Sequence, residues 1–277
     1  MKRTKQGCCL LLATCLMAPS LASADTVIEL LLKKNAHTPA ISQAINVKAG
    51  AIMVKGVGGD NSVDALYRRQ TESLVIVDHR KRTIMTVDEG EVARINRQTK
   101  DVEPLLQGFS NQVAKLSPEQ RQKWQELLGD TVSLDTMAKA AEPLPATRLL
   151  RTKRTKKVAG IRCQEVRLQQ GETPMADLCL AEGASLKIPA EDEATLRALL
   201  AFYERIASQG QGTARQLGLS LPTVSAPGMS GIPVAIQDLS RDDNGGVTVD
   251  RIQTAPIDQA VMAVPTNYQA VPLSLWP

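Results

Sequence analysis

Ser73-Leu74-Val75-Ile76-Val77-Asp78 runs into His79-Arg80-Lys81-Arg82 and returns as Thr83-Ile84-Met85-Thr86-Val87-Asp88. Two β-branched, apolar runs joined by a short charged turn predict an antiparallel hairpin. Glu89-Gly90 then turns the chain into Glu91 to Arg97, which extends the hairpin to a meander. The first run is apolar on both faces, so the strand needs cover on both sides.

Upstream, Thr26 to Lys33 reads as a strand and Ile45 to Lys55 as a second extended region. Gly56-Val57-Gly58-Gly59-Asp60-Asn61 is a turn; no Lys-Ser or Lys-Thr follows its glycines, so it is not a phosphate-binding loop. Downstream the period changes. Val102, Leu105, Leu106, Phe109, Val113 and Leu116 recur at three- and four-residue steps, which predicts a helix. Ser117-Pro118-Glu119-Gln120 starts another, with Trp124, Leu127 and Leu128 on its apolar stripe and Gly129 at its end. The two helical stretches together cover about residues 102–129. Ala138 to Ala146 reads as a linker.

Strands resume near Thr147. Arg148 to Lys157 carries six basic residues, either a charged edge that resists aggregation or a docking patch for a membrane surface or anionic lipid headgroup. Ile161 to Leu168 and Met175 to Ala181 flank a turn at Gln170-Gly171-Glu172. Glu191, Asp192 and Glu193 open a helix over about 191–208, lined by Leu196, Leu199, Leu200, Tyr203 and Ile206. Gly210 to Gly231 is loop, and Ile232, Val234 and Ile236 alternate as a strand. Asp242-Asp243-Asn244-Gly245-Gly246 is a hairpin turn leading to Val247–Ile252. Asp258 to Pro265 is a short turn that packs Val261 and Met262, and Asn267 to Leu273 is a last edge strand.

The N-terminus is an export signal. Lys2, Arg3 and Lys5 precede an apolar stretch from Cys8 to Ala18, and Ala22-Ser23-Ala24 offers a cleavage site before Asp25. The expectation is a signal peptide over 1–24 and one domain over 25–277 in the periplasm. The alternative is a lipoprotein anchored at Cys15, since Leu12-Ala13-Thr14-Cys15 faintly resembles a lipid-attachment motif. Without the signal, 30 basic residues face 29 acidic ones, so no global charge favours nucleic acid. Aromatics make up only 3% of the chain, which leaves an aliphatic core.

Only Cys163 and Cys179 lie beyond the signal, equidistant from Gly171. A hairpin centred there sets them opposite one another, close enough for a disulfide. Zinc is the competing reading, but two thiols fall short of four ligands.

The Leu74-to-Val87 meander, the Lys156-Lys157-Val158-Ala159-Gly160-Ile161-Arg162-Cys163 segment and the end from Ile257-Asp258 through Val264-Pro265 to Tyr268 resemble a family of exported, uncharacterised bacterial proteins. That family is similar to the half-barrel periplasmic proteins typified by the lipoprotein carrier LolA and the lipid binder LppX. The resemblance implies an α+β fold, a strongly curved antiparallel sheet with helices covering its concave face and an apolar cavity between them. The helices near 102–129 and 191–208 would be the covers.

Enzymatic activity is not expected. His37 and His79 are the only histidines, and there is no Gly-x-Ser-x-Gly or His-Glu-x-x-His pattern. No cofactor is expected. The expected function is non-enzymatic binding of an apolar or amphipathic ligand such as a lipid or lipoprotein acyl chain. Ile76, Ile84, Val234, Ile236 and Val249 from strands, with Leu199 and Tyr203 from a helix, are the candidate lining. The bland alternative is that they form a dry core. The other class of function is a protein-interaction or envelope-stress module with no cavity, working through a sheet edge or the basic strand. A solvent-reached cavity above about 300 Å³ would favour the binder.

Overall fold

A computed structural model describes residues 25–35, 37–100, 103–128, 133–140, 145–216, 228–240 and 245–273. The signal-peptide reading and the Cys15 anchor therefore lie outside the described residues.

Runs rich in β-branched and apolar residues form the first strands: β1 (Thr26–Lys33), β2 (Ile41–Lys48), β3 (Ala51–Val54), β4 (Val63–Arg68), β5 (Ser73–Asp78) and β6 (Thr83–Val87). Four helices follow: α1 (Glu89–Lys100), α2 (Glu103–Ala114), α3 (Pro118–Leu128) and α4 (Leu134–Ala140). Then come β7 (Thr147–Val158), β8 (Ile161–Gln170), β9 (Thr173–Ala181), α5 (Gly183–Leu186), α6 (Ala190–Gln216), β10 (Ile232–Asp238), β11 (Gly246–Thr254) and β12 (Gln269–Val271).

The protein is α+β. The twelve strands of the described residues join one sheet, in the order β12-β6-β5-β4-β3-β2-β1-β11-β10-β9-β8-β7. Neighbours are antiparallel except β12, which runs parallel to β6. The order ends at β12 and β7, so the sheet is open and not a closed barrel.

One face of the sheet packs on α5 and α6. Ile28, Val47, Ile52, Tyr67, Cys163 and Val234 meet Leu186, Leu196 and Phe202 there. The other face carries two separate clusters. Met53, Leu66, Val75 and Val77 pack under Ile257 and Met262 of the C-terminal segment, and Val166, Leu168, Ala176, Leu178 and Leu180 form the second. The two-faced apolar run in β5 is accounted for: Leu74 packs on the α6 side and Val75 and Val77 on the other.

The long helix α6 is tied to the first strand at its N-terminus. Thr26 donates its hydroxyl to the Asp192 carboxylate at 2.6 Å, both residues being buried. Burial raises the Asp192 pKa, as do the Asp25 and Glu191 carboxylates, against the hydrogen bonds from Thr26. Farther along, α1 and α4 pack on α6, and α2 packs on α4. Among the described residues, no helix is long and apolar enough to cross a membrane.

The structure corrects several expectations. Glu91 to Arg97 is helix α1, not a third meander strand. Asp88 caps it, accepting the Glu91 N–H at 2.8 Å, and Val92 and Ile95 are buried at helical spacing. The extended region Ile45–Lys55 is two strands, broken by a turn whose residues Ala49 and Gly50 have φ of 48° and 75°. Val63–Arg68 is a further strand, β4. The supposed linker begins inside α4, and α6 continues through Gly210 and Gly212, with Ala214 buried near its end. Tertiary packing there outweighs the glycine penalty, which is about 1 kcal/mol per residue.

The Cys163–Cys179 disulfide is present, but the two residues are not directly opposed. Cys163 pairs with Ala181 and Glu165 with Cys179, because the turn is centred between Gly171 and Glu172, not on Gly171, and the ladder shifts by one more residue between Leu168 and Gln169. The cysteines are diagonal neighbours on one face with Cα atoms 5.3 Å apart, a diagonal that strand twist shortens.

Candidate functional site

Beneath α6 lies an aliphatic cavity of about 220 Å³. Its floor comes from Ile28 and Leu30 of β1 and Ile45 of β2, and from Val247, Val249 and Ile252 of β11. One wall is β10, from Ile232 to Ile236. Leu196, Leu199 and Leu200 of α6 and Leu186 of α5 close the top. The helix contributes leucines at positions 196, 199 and 200 because three- and four-residue steps return to one face. A bulge between Pro233 and Ala235 turns both Val234 and Ala235 toward the helix side.

Nine of the fifteen lining residues are only half-buried, Leu199, Leu200, Ile236 and Val247 among them, so solvent reaches the cavity. The volume falls short of the mark of about 300 Å³ that would favour a binder, the lower end of the roughly 300–1,000 Å³ of drug-sized ligand pockets. It exceeds the ~150 Å³ engineered cavity that takes up benzene.

Four of the seven proposed lining residues meet at this cavity: Leu199, Val234, Ile236 and Val249. Three do not line it. Ile84 pairs with Val77 and packs in the cluster on the opposite face of the sheet. Ile76 shares the α6-side face with Leu74 by alternation, but β5 is four strands from β1. Tyr203 is half-buried one turn beyond Leu199, and burial raises its phenol pKa. The lining draws on α5 and α6, whereas the described residues of α2 and α3, the other expected cover, contribute nothing to it. Those helices instead expose Leu105, Phe109, Trp124 and Leu127. Ile28, Leu30, Ile45, Leu196 and Leu200 line the cavity without having been singled out as a site; the apolar run of β1 and the stripe of α6 were the available signals.

A polar cluster sits at the far end of the meander. His79 Nε2 is 2.9 Å from the buried Asp64 carboxylate, and its Nδ1 is 3.0 Å from the Tyr268 hydroxyl. Lys55 and the Gly56 N–H also donate to Asp64, at 2.8 and 3.0 Å. A carboxylate only accepts, so Nε2 bears the proton in this arrangement. Burial pushes the Asp64 pKa up, but the hydrogen bonds from Lys55, His79 and Gly56 outweigh it and hold the pKa below the ordinary value. The folded pKa lies below the unfolded one. The stabilisation is therefore present above about pH 4 and is lost as pH falls through the folded value. Asp64→Asn is expected to cost about 1–3 kcal/mol at pH 7, and less as pH falls below 4, in urea titrations at each pH.

The basic strand is β7, one edge of the sheet. Arg148, Arg151, Lys153, Arg154, Lys156 and Lys157 are exposed. Arg154 and Lys156 both pair with Glu165, and Arg151 donates to the Gly228 carbonyl and the Ser230 hydroxyl. Among the described residues no group of three or more His, Cys, Asp or Glu is placed to hold a metal ion.

No family model and no curated protein matches the chain. Among solved structures it is similar to PNGF-II in a C2 crystal form, at 7% identity and TM-score 0.38, and in a P21 form, at 6% and 0.37. These alignments cover 89% and 90% of this chain but only 30% and 32% of PNGF-II. The chain thus spans about a third of the length of the protein it is aligned with.

Proposed function

We propose that the protein is a non-enzymatic periplasmic binder of an apolar or amphipathic ligand, built as a half-barrel whose curved sheet holds the ligand under α6. One observation carries the reading: the solvent-reached cavity of about 220 Å³ is lined by aliphatic side chains and, among the described residues, has no acid–base or nucleophilic group in its wall. Apolar transfer stabilises a chain there by about 0.8 kcal/mol per buried CH₂. The buried disulfide fits an oxidising compartment and so supports export. The volume suits one short chain, not the several acyl chains of a lipoprotein anchor.

Native mass spectrometry of the gently purified protein tests this, with a solvatochromic apolar dye as the binding probe. Lipid of defined mass is expected on the wild type. Ala235→Phe fills the cavity and is expected to weaken dye binding at least tenfold while leaving the melting temperature unchanged or higher, because it replaces a void with contacts. Equal dye binding by wild type and variant would overturn the reading.

A second reading, a docking module with no ligand, is favoured by the cationic β7 edge and by the exposed apolar side chains of α2 and α3. Under it, β7 meets a membrane surface or a protein partner. The same spectra then carry a reproducible protein adduct and no lipid.

A further inference from the structure

Leu186 and Ile252, which line the aliphatic cavity, also line a second depression of about 400 Å³. Its character is different: Ser185, Lys187, Gln253 and Thr254 supply polar side chains, and the Ala159-Gly160 turn between β7 and β8 forms its rim. Lys187 caps α5 in the left-handed conformation (φ 55°), which fixes where its side chain starts. Among the described residues no carboxylate pairs with it.

An apolar pocket that adjoins, across two shared wall residues, a polar depression with a free cation fits one ligand shape. We propose that the site takes a single-chain amphiphile with an anionic head, the chain under α6 and the head at Lys187 and Ser185. This rests on the binding reading above and names its ligand class. If a cavity of ~150 Å³ takes the six carbons of benzene, about 220 Å³ takes roughly nine. Each buried methylene tightens binding roughly fourfold, so affinity should climb with chain length and then level off near nine carbons. The head adds less. Lys187 is exposed, and an exposed charge pair is worth at most about fivefold.

Calorimetric titrations of the purified protein with straight-chain carboxylates from six to fourteen carbons, and with primary alcohols of the same lengths, separate the two contributions. Both series should plateau near nine carbons, with carboxylates a few-fold tighter than alcohols. Lys187→Glu should erase that advantage and leave the alcohol series unchanged, and 0.5 M salt should shrink it. Decyl phosphate beside decanoate tells a phosphate head from a carboxylate; a preference for either over decanol supports the assignment. Alcohols and anions binding alike, or Lys187→Glu weakening both equally, would overturn it while leaving the cavity intact as a site. Binding of neither series removes the underlying reading as well.

Discussion

Replacing Cys163 and Cys179 together by alanine is expected to lower the unfolding free energy by about 3 kcal/mol. The bridge closes a loop of sequence separation 16, and in the chain-entropy model a loop of that size restricts the unfolded chain by about that amount. For a protein of this length the loss corresponds to a melting temperature lower by roughly 6–12 °C. Both cysteines are buried, at 2% and 0% exposure, inside the cluster that meets α6. The thiols should therefore resist labelling in the native state and react only once the protein is unfolded and reduced. Reducing agent added to the folded wild type should act slowly for the same reason. A double variant as stable as the wild type would show that the strand ladder alone fixes β8 against β9. The test is a pair of urea titrations, oxidised wild type against the alanine variant, with the slopes compared to exclude a change in the unfolded state.

Local signals located most of the strands and the main helices; long-range order is what they could not carry. The hairpin at Ser73–Val87 and the strand at Thr26–Lys33 follow from β-branched and apolar runs, and the pairing of Ile232–Ile236 with Val247–Ile252 from alternation and turn chemistry; the structure has each of them. The cavity needed more. Alternation gives the face on which Ile76 lies but not the strand order. With neighbours ~4.8 Å apart, the three spacings from β5 to β2, the nearest strand of the floor, put it about 14 Å from the cavity. Ile84 fails for a different reason: its partner Val77 faces the C-terminal segment, a packing that nothing within the hairpin specifies. Helix α1 was misread because Glu89-Gly90 resembles a turn; Val92 and Ile95 step by three, and the Asp88 cap starts the helix there. The Asp64–His79–Tyr268 cluster joins residues 15 and 189 positions apart, beyond the reach of any local pattern.

Phe202 is where α6 is fastened to the sheet, and its removal is expected to be the most damaging single substitution. The ring is 3% exposed and lies 5.4 Å from that of Tyr67, tilted by 41°. Phe202→Ala should cost about 3–5 kcal/mol, combining lost transfer energy with the void left behind, and also loses the aromatic pair, worth about 0.5–1.5 kcal/mol. Phe202→Leu refills much of the space and should cost far less. The partner residue predicts the opposite sign. The Tyr67 hydroxyl is buried with no hydrogen-bond partner among the described residues, and burial raises its pKa, so it stays protonated and unsatisfied. Tyr67→Phe keeps the ring and removes the orphaned group, and is expected to raise stability by about 1 kcal/mol. Because α6 also roofs the cavity, loosening it at Phe202 should increase dye binding before the protein unfolds, whereas Tyr67→Phe should leave dye binding alone. If Phe202→Ala and Phe202→Leu were equally mild, α6 would be held by its Asp192–Thr26 end and not by this contact, and the roof would be free to lift at its middle.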